Sequence, residues 1–299
     1  MELPDESAAG YVALVTGGTS GLGASVSRRL ADRGASVAIV GRNRERGRTV
    51  AADLRERTEG DVAFYRADLA SQSAVRKLAA EFRARTDRLD LLVNGAGVFS
   101  SSRELTADGI ERTFAVNHLA PFLLTHELLS LLRAAAPSRV VTVSSGLLER
   151  GELDFSDLFS GGGYDGMDAY ARSKLANVLF TEELAERLGE RDGPDDAGVT
   201  AAAVNPGFVP STNLARGASL RGRLLLTAFS RLPLGFTRSL DEGTESILAA
   251  ADATGPAGRG GVYVDAAEVR PASSVGDETT RRRLWDVSAG LVGVSPDGW

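Results

Sequence analysis

Short apolar runs that alternate with amphipathic helical stretches constrain this chain more than any other feature of its sequence. The runs are Val12 to Val15, Ser36 to Val40, Val62 to Tyr65, Leu89 to Val93, Arg139 to Val143 and Val199 to Val204. Helical patterns separate them at Ala24 to Arg33, Arg44 to Arg57, Ser71 to Arg85, Gly109 to Arg133 and Ala169 to Gly189. Runs this short and this apolar suit strands buried on both faces, and the intervening helices provide parallel crossovers. The pattern predicts an α/β fold, a doubly wound parallel sheet of about seven strands with helices on both faces and a ligand site beyond the strands' carboxyl ends.

Those ends carry the unusual residues. After the first run comes Thr16-Gly17-Gly18-Thr19-Ser20-Gly21-Leu22-Gly23, read as a glycine turn that opens a helix. Such a turn lets backbone N–H groups approach a pyrophosphate while the positive end of the helix dipole faces its charge. The spacing is not G-x-G-x-x-G, since Ser20 precedes Gly21-Leu22-Gly23 and Val26 stands where the last glycine would fall. Later ends carry Asp68 and Leu69, then Asn94-Gly95-Ala96-Gly97, Ser144-Ser145 and Asn205-Pro206-Gly207. On the last helical stretch Tyr170 and Lys174 are four residues apart, so their side chains share one face. An ammonium beside a phenol favours the phenolate and is expected to bring its pKa down from ~10 towards neutrality.

With Thr-Gly-x-x-x-Gly-x-Gly, Asn-x-Ala-Gly, a serine pair and Tyr-x-x-x-Lys in this order, the chain resembles the short-chain dehydrogenase/reductase family over roughly residues 10 to 265, with further motifs reaching almost to the C-terminus. The resemblance implies one Rossmann-type domain, residues 10–299, after a flexible stretch at 1–9, and a nicotinamide-dependent oxidoreductase. It assigns Tyr170 as acid/base, Lys174 as its pKa-lowering partner and ribose ligand, and Asn117 as the helix residue that helps hold a water linking the lysine to solvent. Ser144 and Ser145 compete for orienting the substrate oxygen; the family pattern Val-Ser-Ser-Gly selects Ser145. For the dinucleotide it implies Gly17, Thr19, Ser20, Gly21, Leu22 and Gly23 at the pyrophosphate, with Asp68 and Leu69 at the adenine. Asn94, Ala96 and Gly97 would line the ribose, and Pro206 and Gly207 the nicotinamide. Gly95 stands where relatives more often have a second Asn, which puts the stiffness of that strand end in question.

An NAD site usually ends the second strand in an acid that binds the ribose 2′-hydroxyl and repels a 2′-phosphate. Here Val40 is followed by Gly41-Arg42-Asn43-Arg44, and a guanidinium matches a phosphate dianion in charge and shape. NADP(H) is therefore expected over NAD, with Arg42 as the main contact.

A net charge of −6 without a basic stripe argues against nucleic-acid partners, and with no cysteine there is no thiolate chemistry or disulfide. His118 and His126 read as ordinary helix residues, with no third ligand at metal spacing, so no metal is expected. The N-terminus has neither a basic start nor an apolar run, and no integral membrane segment is expected, which suggests a cytoplasmic protein; a homo-oligomer is compatible with the sequence.

A long insert from Gly146 to Ala169, with Gly161-Gly162-Gly163 read as flexible, and Ser-Lys-Leu-Ala-Asn at the tyrosine resemble the branch of retinol dehydrogenases and protochlorophyllide reductases. That branch implies a bulky lipophilic small-molecule substrate. Residues 211–237 read either as a helical lid over such a substrate or as a surface helix against the body or another subunit. The competing functions are a non-catalytic NADP-binding regulator and an epimerase or dehydratase of the extended branch. The second favours a different glycine spacing, and the first a damaged set of Asn117, Ser145, Tyr170 and Lys174.

Overall fold

The computed structural model describes residues 8–192, 198–209, 237–252, 260–265 and 268–299. In chain order these form β1 (Val12–Thr16), α1 (Gly21–Asp32), β2 (Ser36–Gly41), α2 (Arg44–Arg55), β3 (Val62–Arg66), α3 (Gln72–Arg83) and β4 (Leu91–Asn94). Then come α4 (Arg112–Phe114), a π-helical turn (Ala115–Leu119), α5 (Ala120–Ala134), β5 (Ser138–Val143), a 3-10 turn (Gly146–Arg150), α6 (Gly166–Asp192) and β6 (Val199–Asn205). The chain ends with α7 (Leu240–Ala251), β7 (Val262–Asp265), β8 (Glu268–Pro271) and α8 (Glu278–Val292). The strands make one sheet in the order β3-β2-β1-β4-β5-β6-β7-β8, parallel except for the antiparallel pair β7–β8. The order reverses between β1 and β4, so the crevice at their carboxyl ends is the topological switch point.

The sheet has eight strands, where the sequence pattern predicts about seven. The extra strand, β8, is Glu268-Val269-Arg270-Pro271, which carries no apolar run because an edge strand needs only backbone pairing on one side. Its charges and its proline also block further pairing. The helix expected from Gly109 to Arg133 is subdivided. Gly109 lies in a left-handed turn at φ 75°, and the helix begins after Glu111, whose carboxylate accepts from Thr113 N and Phe114 N, both at 2.8 Å. Of the flexible N-terminus expected at 1–9, residues 1–7 lie outside the described residues. Ala8 is buried, with its N–H donated to Arg33 O at 2.5 Å.

Helices α3, α5, α6 and α8 cover one face of the sheet, and α1, α2 and α7 the other. On the first face Phe122, Phe180, Trp285 and Trp299 form an aromatic cluster, with Trp285 stacked on Phe180 at 6.0 Å and tilted against Trp299 at 4.4 Å. Alongside it the buried Arg281 of α8 pairs with Glu182 at 2.5 Å, Glu183 at 2.8 Å and Glu186 of α6. α8 is capped by Asp277, which accepts from Thr280 N at 2.9 Å, and ends at Gly293 in the left-handed region at φ 67°. No helix among the described residues is long and apolar enough to cross a membrane. Because Trp285 joins α8 to the core under α6, Trp285→Ala should cost about 3–5 kcal/mol of stability. A urea midpoint that does not move would show that α8 contributes no core.

Candidate active site

At the end of β1 the Thr16 hydroxyl donates to Val93 O at 3.3 Å and accepts from Gly95 N at 3.1 Å and Ala96 N at 3.2 Å. This ties the end of β4 to β1, and a Cβ on Gly95 would lie 3.0 Å from Thr16 O. Gly17 turns away at φ 72°, and a Cβ on it would lie 3.0 Å from Ala96 Cα. A Cβ on Gly18 would meet Ile39 Cγ2 at 2.8 Å, and one on Gly23 would meet Gly17 O at 2.5 Å. At these three positions a side chain would press on neighbouring backbone or on Ile39, which is why glycine stands there. Ser20 caps α1 without a side-chain bond, so the first N–H groups of that helix remain open to an anion.

Thr19 is buried against Gly41, and Leu22 is packed close to Gly243 of α7. Leu69 is buried, and Asp68 is exposed with Oδ1 accepting from Ala70 N at 3.1 Å. Ala96 is half-buried and Gly97 exposed, whereas Asn94 is buried and donates from Nδ2 to Thr125 Oγ1 at 3.3 Å, leaving Oδ1 without a partner. On the opposite side Gly207, at φ 78°, donates its N–H to Asn205 Oδ1 at 3.0 Å, and Asn205 Nδ2 donates to Asp265 Oδ1 at 2.9 Å. Pro206 is buried beside it.

Beyond β2 and β3 an open depression is lined by Arg42, Asn43, Arg44, Glu45 and Arg66. Arg66 Nε donates to Arg42 O at 3.1 Å, which brings the two strand ends together. None of Arg42, Arg44 and Arg66 is in an ion pair among the described residues. Arg66 was not singled out from sequence. Its signal was a second arginine at a strand end, visible only once β2 and β3 are known to pair.

At the end of β5, α6 presents Tyr170 and Lys174 one turn apart, both buried. Lys174 Nζ donates to Val143 O at 2.9 Å and lies 5.5 Å from the centre of the Tyr170 ring. Ser144 Oγ donates to Lys174 O at 2.8 Å, which fixes it to the helix backbone. Ser145 is half-exposed, its Oγ accepts from Leu147 N at 3.3 Å, and its hydroxyl is near enough to the Tyr170 phenol to act on its pKa. Asn117 sits in the π-helical turn with Oδ1 accepting from Val98 N at 2.8 Å. Its Nδ2 donates to Val98 O and to Ser173 Oγ, both at 3.0 Å. The amide thus clamps the loop after β4 against α6, and the wide turn displays it there.

Burial pushes the Tyr170 phenol up to about 12, against a smaller lowering influence of the Ser145 hydroxyl, and brings the Lys174 ammonium down to about 8. The expected fall of the tyrosine towards neutrality does not arise from the protein alone. Desolvation outweighs the neighbouring cation, which spends its hydrogen bond on Val143 O rather than on the phenol. Burial also lowers His118, to about 3, and lowers His126.

The insert before α6 is held rather than loose. Asp157 accepts from Gly161 N at 2.6 Å and Gly162 N at 3.0 Å, and Arg172 Nη1 donates to Leu158 O at 3.0 Å and Ser160 Oγ at 2.8 Å. Around the site Leu147, Met167 and Phe208 are exposed, and the Phe99 ring lies 6.3 Å from that of Tyr170. Of the segment 211–237, all but Thr237 lies outside the described residues.

A family model described as short chain dehydrogenase matches residues 11–220. Retinol dehydrogenase 14 of Mus musculus is 38% identical, over 95% of this chain and 86% of its own. Dehydrogenase/reductase SDR family member 13 of Bos taurus is 40% identical, over 96% and 74%. Among solved structures, an uncharacterized protein from Mycobacterium Paratuberculosis superposes with a TM-score of 0.75 at 32% identity, covering 97% of this chain and 96% of that one. RhlG of Pseudomonas aeruginosa, solved as an NADP active-site complex, has a TM-score of 0.66 at 28% identity, covering 87% and 95%.

Replacing the clamp, Asn117→Ala should strand the Val98 peptide groups and cost about 2 kcal/mol or more. Urea unfolding measures it, and a loss under a few tenths would mean that water replaces the amide freely.

Proposed function

Because the chain belongs to the short-chain dehydrogenase family, we propose that it is an NADP(H)-dependent enzyme moving hydride between the nicotinamide and the carbonyl or alcohol carbon of a bulky lipophilic substrate. Oxidoreductase chemistry at alcohol and carbonyl groups with a nicotinamide cofactor comes with the family. The cofactor's phosphate form, the substrate and the role of each residue are the proposal. The observation that carries it is Tyr170 and Lys174 buried one turn apart on α6 at the end of β5, where Ser145 also lies, next to a turn packed so closely that Gly17, Gly18 and Gly23 leave little room for a Cβ.

The residues present fit a dinucleotide. Gly17, Thr19, Ser20, Gly21, Leu22 and Gly23 would hold its pyrophosphate at the open start of α1. Asp68 and Leu69 would meet the adenine, Asn94, Ala96, Gly97 and Lys174 the ribose, and Pro206 and Gly207 the nicotinamide. Arg42, with Arg66 beside it, would take the 2′-phosphate, since neither guanidinium is in an ion pair among the described residues. Residues 10–299 would then work as one nucleotide-binding domain.

Bound there, the nicotinamide supplies hydride when reduced and a positive ring charge when oxidised. Tyr170 gives its proton to the carbonyl oxygen as charge develops on it, and Ser145 donates a hydrogen bond to the same oxygen. With the phenol at about 12, it is already protonated at pH 7, as the reducing direction requires. Removing that proton at pH 7 would cost on the order of 7 kcal/mol, so oxidation depends on nearby positive charge far more than reduction does. Lys174 is an ammonium below about pH 8 and contributes part of that charge. Leu147, Met167, Phe208 and Phe99 flank Ser145, Tyr170 and Gly207 and supply an apolar surface suited to a lipophilic substrate. The retinol dehydrogenases among the relatives support the same class.

Loss of NADPH absorbance with a panel of lipophilic aldehydes and ketones, retinal among them, tests the reading. Tyr170→Phe should lower kcat roughly 100-fold to 10,000-fold and leave the NADPH dissociation constant unchanged; retained turnover would remove the tyrosine from the chemistry. In fluorescence titrations Arg42→Asp should weaken NADPH binding about 100-fold and Arg66→Ala about 10-fold, with NADH nearly unaffected. Equal losses for both nucleotides would defeat the 2′-phosphate assignment.

A further inference from the structure

Two strand ends meet beside the turn at Pro206-Gly207, and one of them carries a carboxylate that the reaction described above does not use. Asn205 ends β6 and Asp265 ends β7, and the parallel register sets the two residues side by side. Asn205 is buried and Asp265 half-buried. Asn205 Nδ2 donates to Asp265 Oδ1 at 2.9 Å, while Asn205 Oδ1 accepts from Gly207 N at 3.0 Å. A carboxylate only accepts and a peptide N–H only donates, so an amide placed between them satisfies both one way round and neither the other. Turned over, it would set its NH2 against the peptide N–H and its oxygen against the carboxylate. Asp265 thus selects which end of the amide faces Gly207.

The turn held in this way is closely packed. Gly207 lies at φ 78°, and a Cβ on it would fall 2.5 Å from Arg238 Cδ. Arg238 is itself fixed, with its N–H donated to Phe208 O at 2.9 Å and Nη1 to Ser246 Oγ of α7 at 3.1 Å. A Cβ on Gly243 of α7 would lie 3.2 Å from Pro206 O. On the side of β5 a Cβ on Gly146 would lie 3.2 Å from Asn205 Nδ2, so the same amide lies against the residue that follows Ser145. From this geometry we infer that Asp265 is a positioning residue for the nicotinamide side of the crevice, orienting the Asn205 amide that holds the Pro206-Gly207 turn next to the end of β5. The inference rests on the reading of Pro206 and Gly207 as neighbours of the nicotinamide. Asp265 acts through one amide and not on the reacting atoms.

Hydrogen exchange at the Gly207 N–H, followed by NMR on the free protein, reads the hold directly. Asp265→Leu keeps the bulk but removes the acceptor, and should speed that exchange about 10-fold. In an N205L background D265L should add nothing, since both act through one side chain. Asn205→Asp sets two carboxylates together with no donor between them. Adding Asp265→Asn returns an NH2 to the pair, so the double variant should exchange within about twofold of the wild type. Asp265→Ala carries the same expectation as D265L should the latter fail to fold. In turnover of a lipophilic aldehyde D265L should lower kcat about 10-fold, while the NADPH dissociation constant stays within about threefold because the glycine turn and Arg42 are unaltered. Unchanged exchange in a folded D265L or D265A variant overturns the inference, and so does faster exchange with unchanged kcat. The exchange measurement needs neither cofactor nor substrate, while wild-type turnover decides the catalytic reading, so each can fail without the other.

Discussion

The site depends on a cation taken out of water. Lys174 is buried and held by the carbonyl at the end of β5, next to a phenol that is buried as well. Burial alone works against both charged forms, since it lowers the ammonium and raises the phenol. A protein that keeps such a pair needs a rigid acceptor for the lysine and a second source of positive charge for the tyrosine. The first is Val143 O, fixed by the parallel pairing of β5 with β6. In the proposed function the second is the charge of an oxidised nicotinamide ring.

Rigidity at that point is built from several directions. Asn117 fastens the loop after β4 to α6 through Val98 and Ser173, and Ser144 fastens the end of β5 to the backbone of Lys174. α8 presses on the far side of α6 through Trp285 and the Arg281 carboxylate cluster. The Arg281 pairs are poor candidates for net stability, because desolvating the guanidinium offsets much of their attraction. Their geometry orients the two helices, and the aromatic contacts supply the burial that holds them.

Much of this was legible in the sequence. Apolar runs locate β1 to β6 within a residue or two, because most positions of these strands are buried and apolar, and the polar ones, such as Arg139 and Thr142 of β5, fall within or at the ends of a run. The glycine turn and the shared face of Tyr170 and Lys174 follow from spacing, whereas Asn117 and Ser145 were candidates only through the family pattern. The antiparallel β8 was not legible, since Glu268 and Arg270 carry an edge that only its partner defines. α7 could have been read from its capping box, as Ser239 and Glu242 exchange bonds at 2.7 and 3.1 Å.

What the sequence determined by itself was local: which segments become strands, where a Cβ is excluded, and which side chains share a helix face. Only the tertiary structure decided the balance of forces on Tyr170, the work given to the Asn117 amide and the meeting of Arg42 with Arg66. Each of these turns on burial or on contacts between distant segments. Spacing along a chain can place a lysine one turn from a tyrosine, but how much water surrounds the pair is set by everything folded around it.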